Sequence, residues 1–378
     1  VLAIVVALAL HGSACSAPQS QQLLLAPAPD SPIALGGPGN VALGNVNQDG
    51  KLDLVAASGG GITVLLGQGD GRFRVAPGSP IPLPTPCTEM VLGDLNGDGK
   101  LDVALANHDS YDVTLLFGDG NGGFALAPQS PVIMKDGQHP HTHGLLAGDL
   151  NGDGNLDLAI VNSDDHDVSV VFADAERGFT RAASPFAVEL SPYPSTLGDL
   201  NGDSHTDIIV TSVTRRQGAS GALTVVLGDG RGDFRGSAVS LRTGAPGFVA
   251  VADVNGDRKP DLVTTHLERS ELSILAGDGK GGFTETTSSP FDLGHAAWHL
   301  AVADMNGDGN ADVAAAAGDG VRMMLGDGRG GFQPAPGSPF ATGGGSWQLV
   351  VGDVNGDGKP DVVTSDLEGR SVTVLLAQ

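Results

Sequence analysis

One nine-residue pattern, Asp-x-Asn-x-Asp-Gly-x-x-Asp, constrains this 378-residue chain more than anything else in it. It starts at Asp94, Asp149, Asp199, Asp253, Asp304 and Asp353, and a weaker first copy starts at Asn45. Successive starts lie 49, 55, 50, 54, 51 and 49 residues apart. A fixed period of this size marks a repeat architecture, in which each unit buries its apolar face only against its neighbours.

The oxygens at positions 1, 3, 5 and 9 of such a loop can converge on one hard cation, with a backbone carbonyl at position 7 and glycine at position 6 for the sharp turn. The candidate Ca²⁺ ligands are Asn45, Asn47, Asp49 and Asp53 in the first loop, and Asp94, Asn96, Asp98 and Asp102 in the second. They are Asp149, Asn151, Asp153 and Asp157 in the third, and Asp199, Asn201, Asp203 and Asp207 in the fourth. Asp253, Asn255, Asp257 and Asp261 form the fifth set, Asp304, Asn306, Asp308 and Asp312 the sixth, and Asp353, Asn355, Asp357 and Asp361 the seventh. Asp-Gly turns alone would explain one copy, but not seven in phase. Up to seven Ca²⁺ are expected. Loops 1, 4 and 5 are the weaker sites, because Asn45 removes a charge and Ser204 and Arg258 replace the glycine where φ is positive.

Charge agrees. The chain carries 44 acidic and 20 basic side chains, net −24, and 20 of the acids sit in these loops. Much of the acidity therefore reads as ligand. No basic stripe exists to neutralise phosphates, which argues against nucleic acid as a partner.

Each repeat reads as four short strands. In the second, Met90–Leu95 runs into the acidic loop, Leu101–Ala106 leaves it, Asp112–Phe117 follows, and Phe124 opens a fourth strand after a Gly-Asp-Gly turn. That turn recurs before Phe234, Phe283 and Phe332, with looser forms at Phe73 and Phe179, and the Phe is expected to pack between neighbouring units. Short strands and glycine turns with no capped helical period predict an all-β, seven-bladed β-propeller with four-stranded blades. The last repeat ends on its third strand at Ser371–Leu376, while Leu23–Ile33 resembles a fourth strand such as Phe73–Ile81. The N-terminal strand is thus predicted to join the last blade and close the ring.

These loops and turns resemble the FG-GAP/VCBS repeat family, whose best-known propeller forms the head of integrin α-subunits. The likeness covers residues 22–378. It implies Ca²⁺ at the Asp/Asn loops, with lectins, adhesion heads and some polysaccharide lyases among similar propellers.

Residues 1–21 read as a leader and tether. Val1–Leu10 is apolar but too short to span a bilayer, and resembles the hydrophobic part of a secretory or lipoprotein signal. Cys15 stands where a lipid anchor would attach, although Gly12 departs from that pattern; simple cleavage and a short buried strand are the alternatives. A secreted, cell-surface or periplasmic monomer follows, touching membrane only through such an anchor. Cys87 is then the one cysteine of the folded body and reads as a small buried hydrophobe.

Up-and-down strand order puts the acidic loops on one face and the connections into strand one on the other. Six residues before each motif stand Gly39, Thr88, His143, Tyr193, Gly247, Trp298 and Trp347, followed by Asn40, Glu89, Gly144, Pro194, Phe248, His299 and Gln348. The candidate ligand-binding residues are His143, Tyr193, Trp298, His299, Trp347 and Gln348, expected around the axial mouth; plugging of the channel by the same aromatics is the alternative. His139, His141 and His143 alternate along one segment, where two or three could bind Zn²⁺ or Cu²⁺ or simply form a polar rim, and no carboxylate or cysteine is expected to accompany them closely. Arg231-Gly-Asp233 spells an adhesion tripeptide inside a turn that already demands glycine. The leading function is a recognition module for a glycan or protein ligand. A lyase-like enzyme using His143, His299 and Glu89, with Lys135, Arg215 or Arg216 as the cation, is the rival, and a scaffold is the third reading. No catalytic motif is present.

Overall fold

The computed structural model describes residues 25–378, apart from 59, 86, 175–177, 183–184, 190, 213–221, 243 and 267. The leader, Cys15, Arg215 and Arg216 therefore lie outside the described residues. The described chain is all β, in seven antiparallel sheets. Blade 2 shows the plan: Cys87–Gly93, Asp102–Asn107, Asp112–Gly118 and Phe124–Leu126 pair in that order. The outer edge is broken. After Leu126 the chain turns and Val132–Ile133 pairs further along the third strand, so strand four comes in two pieces here, whereas in blade 4 it is the single strand Phe234–Ser240. Ser130 spans the gap, its Oγ accepting the Leu115 N–H at 3.0 Å.

Seven apolar clusters fill the seven interfaces between adjacent blades. Strand two of each blade is buried on both faces, as a middle strand sandwiched between neighbours must be. The turn phenylalanines lie where the sequence puts them. Phe124 of blade 2 packs with Val46, Ile62 and Leu66 of blade 1, and Phe73, Phe179, Phe234, Phe283 and Phe332 take equivalent places.

The ring closes as expected. Leu25–Pro27 pairs antiparallel with Ser371–Ala377, placing Leu25 opposite Ala377, and Ile33–Ala34 pairs with Val372 and Ser371. Ser31 copies Ser130: its Oγ accepts the Val374 N–H at 2.9 Å. Blade 7 is thus built from both parts of the chain and leaves no outer strand missing.

Candidate functional site

Two features stand out, one at each end of the strands. On one face the nine-residue loops join strands one and two. Position 9 is fully buried in all seven copies: Asp53, Asp102, Asp157, Asp207, Asp261, Asp312 and Asp361 are 0% exposed. Each accepts the position-2 N–H at 2.8–3.1 Å with one oxygen. The other oxygen accepts an N–H at the end of strand three at 2.7–2.9 Å. Burial pushes Asp102, Asp157, Asp207 and Asp361 up to about 6 and Asp312 to about 7, against the pull of those amides. Asp53 and Asp261 move in the same direction for the same reason.

Position 1 is pinned as well. Asp94 accepts the N–H groups of Gly97 at 2.8 Å, Asp98 at 3.1 Å and Gly99 at 2.9 Å. Asn96 accepts from Asp98 at 2.8 Å, and Asp98 from Lys100 at 2.9 Å. Positions 4 and 6 both need positive φ, as at Gly97 (75°) and Gly99 (82°). The position-4 requirement was not read from the sequence. Ser204 and Arg258 at position 6 take φ of 68° and 64°, so the loop geometry survives the loss of glycine there, at a conformational cost. Asn45 in loop 1 receives none of Asp94's amides, and its Oδ1 is buried without a donor.

This donor set fits a hard divalent cation: three carboxylates and an amide oxygen in nine residues, with an orphaned acceptor at Asn45. The residues that would hold it are those at positions 1, 3, 5 and 9 of each loop.

The opposite face holds the starts of strand one and the ends of strand two, since Cys87 pairs with Asn107 there. Here the register slips in six of the seven blades. Thr88, Trp298 and Trp347 are each the extra residue, and His143 and Tyr193 lie within the slip. A bulge re-aims side chains, and bulges concentrate beside sites. Trp298 and Trp347 pack against each other with ring centroids 5.2 Å apart and planes tilted by 33°, and Trp298 remains 41% exposed. His143 meets Tyr193 at 4.6 Å, and Phe248 meets His299 at 4.4 Å. Burial lowers His299 to about 4, so it stays neutral, with its Nδ1 unpartnered among the described residues. Glu89 is half-buried, and desolvation raises it to about 7.

Gln348 differs from the rest of the predicted set. Its Oε1 accepts the Val41 N–H at 2.7 Å across the closing interface, so it serves the ring. Asn40 does the same one blade on, donating to the Thr88 carbonyl at 2.7 Å.

The histidines assemble differently from the sequence expectation. His139 is exposed and stands apart, while His108, from the turn after strand two of blade 2, joins His141 and His143. Carboxylates do accompany them: Asp109 lies 2.7 Å from His108 and Asp164 lies 3.1 Å from His141. Sequence separation had hidden both His108 and Asp164.

A further recurrent element links the end of strand two to the start of strand three on this face. Asn107 bonds Asp112 and Thr114, Asn162 bonds Asp167 and Ser169, His266 bonds Ser273, and Asp366 accepts from Ser371 and Thr373. The His266, Ser273 and Glu285 chain is buried, which suits packing rather than attack on a substrate. Lys135 is held by Asp165 at 2.8 Å and Asp167 at 2.7 Å. Cys87 packs against the core between blades 1 and 2, and burial pushes its thiol up to about 11. Arg231-Gly-Asp233 forms the blade 4 turn, where Asp229 accepts both the Arg231 and Asp233 amides. A cleft of about 330 Å³ opens on the acidic face, between the loops of blades 2 and 3, beside Asp94, Asn96, Phe117 and Phe179. It is a groove between repeats, distant from the aromatic mouth.

Six FG-GAP-like repeats match residues 45–105, 94–160, 149–210, 199–264, 253–315 and 304–364, and the chain belongs to this repeat family. No curated protein matches it in sequence. Among solved structures it is similar to an Agrocybe aegerita lectin described as recognising non-reducing terminal N-acetylglucosamine, with 18% identity and a TM-score of 0.59 over 88% of this chain and 86% of that one. It is also similar to BBS1N, solved in complex with ARL6DN, with 10% identity and a TM-score of 0.65 over 95% and 98%. A functionally unknown protein from Desulfotomaculum acetoxidans aligns at 12% identity and a TM-score of 0.55 over 80% and 87%. Likeness at these identities describes the fold.

Proposed function

We propose that the chain is a calcium-stabilised recognition module, working outside the cytoplasm, that holds a glycan on the face opposite the acidic loops. The observation that carries this reading is the Trp298–Trp347 pair, raised on bulges at the axial mouth with Trp298 open to solvent. An exposed aromatic pair presents a flat apolar face on which the C–H side of a sugar ring can lie, and nearby polar groups can meet its hydroxyls. Tyr193, His143 and the neutral His299 supply polar groups along the same rim. Calcium is assigned to the loops on their donor chemistry, where it offsets the repulsion among three carboxylates. The lectin of similar fold is compatible with this reading.

The test is a glycan array with the intact chain in Ca²⁺, repeated with Trp298→Ala and Trp347→Ala. Binding that is lost in both variants while their melting temperatures hold supports the assignment. An unchanged profile removes the aromatic pair, and retention of a protein partner alone moves the reading to protein recognition. Chelation should lower the melting temperature by several degrees; no change would remove calcium from the account.

A further inference from the structure

We propose that His108, His141 and His143 form a Zn²⁺ site with three imidazole ligands and an open fourth position, at the rim between blades 2 and 3. Their ligand atoms all lie within 4.8 Å of one another. The Nε2 atoms of His141 and His143 approach to 2.9 Å in a hydrogen bond that an ion bound between them would replace. In a tetrahedral Zn²⁺ site with bonds of about 2.0–2.1 Å, ligand nitrogens stand roughly 3.3 Å apart, so the closest pair must open slightly and the widest must close by about 1.5 Å, within reach of side-chain rotation.

The surroundings favour metal over a polar rim. Asp109 Oδ1 lies 2.7 Å from His108 Nδ1, and Asp164 Oδ1 lies 3.1 Å from His141 Nδ1. A carboxylate that accepts Nδ1–H fixes the tautomer and leaves the Nε2 lone pair for an ion, the arrangement usual around zinc-binding histidines. His143 is braced by its contact with Tyr193, ring centroids 4.6 Å apart.

The two segments are also fastened together. Thr142, between His141 and His143, is 0% exposed. It donates its N–H to the His108 carbonyl at 3.2 Å and its hydroxyl to the Asn107 carbonyl at 2.7 Å. Asn107 is itself held by Asp112 and Thr114. The site is therefore built on strand ends whose spacing is set before any ion arrives.

Imidazole selects borderline transition metals over Ca²⁺, so this site and the acidic loops do not compete for the same ion. The His108 and His141 side chains are 39% and 36% exposed, which leaves room for water or a ligand oxygen as fourth donor. The site does not depend on the glycan reading.

Zn²⁺ titration of the intact chain by calorimetry, in excess Ca²⁺ to fill the acidic loops, should show one saturable site per chain. His141→Ala and His143→Ala should abolish it, and Asp164→Asn should weaken it by about 10–100-fold. Should the alanine variants misfold, X-ray absorption at the zinc edge of the wild type decides, with three imidazoles in the first shell expected. Absence of saturable binding, affinity unchanged in His141→Ala, or fewer than three imidazoles around bound zinc overturns the proposal.

Discussion

Ser31 offers a controlled test of how the ring is closed. Its Oγ accepts the Val374 N–H at 2.9 Å. Serines at the same place in other blades do the same: Ser79 for Val64 at 2.7 Å, Ser130 for Leu115 at 3.0 Å, Ser289 for Ile274 at 2.8 Å and Ser338 for Met323 at 3.0 Å. Each Ser→Ala change leaves a partly buried amide without its acceptor, at a cost of about 1–3 kcal/mol. If the N-terminal segment completes blade 7, Ser31→Ala should cost the same as Ser130→Ala, within about 0.5 kcal/mol. Leu25→Ala should cost more, about 2–5 kcal/mol, because Leu25 is buried among Met323, Leu349 and Leu375. Urea unfolding of the three variants beside the wild type, in fixed Ca²⁺, measures this. A Ser130→Ala penalty of the expected size with no effect from either Ser31→Ala or Leu25→Ala would refute the closure.

Glu89 should give the ring a pH dependence. Its folded value of about 7 lies above its ordinary 4.5, so the folded state keeps the proton longer. Stability from this group is complete below about 4.5, declines as pH rises and is lost through about 7. Glu89→Gln should therefore be more stable than wild type at pH 8, by about 1–2 kcal/mol since the side chain is only half-buried, and equal to it at pH 4.5; equal stability at both pH values would remove the shift. Gly232→Ala should destabilise, because the new Cβ would sit 2.5 Å from Phe172 at a φ of 90°. A thermal melt within one degree of wild type would show that the Arg231-Gly-Asp233 turn does not need its glycine.

Much of the fold was legible because the signals are local and repeated. The acidic motif fixes the strand one to strand two hairpin, the Gly-Asp-Gly turn fixes the next, and the likeness of Leu23–Ile33 to Phe73–Ile81 exposes the closure. What escaped depends on residues far apart in sequence. His108 reaches His141 only because the end of strand two in blade 2 lies beside the start of strand one in blade 3. Gln348 reads as a ligand-binding candidate in sequence because its partner, the Val41 amide, is 307 residues away. The double duty of position 9 was hidden for a related reason: an Asp that suits a cation in sequence also ties the loop to strand three, and only the end of strand three reveals the second acceptor role. The bulges at Trp298 and Trp347 left no mark beyond the aromatic coincidence itself.

The shared last blade also dictates how the ring answers a mechanical load. Tension applied through residues that precede Leu25 reaches the body at an outer three-residue pairing that starts with Leu25 opposite Ala377. It strips contacts one after another, like a zip, rather than straining them together in shear. The six other blades carry continuous chain from strand one to strand four and are spared this peeling. Under traction the seam between beginning and end is the first place to yield, and the stiffness of the other six contributes nothing to holding it.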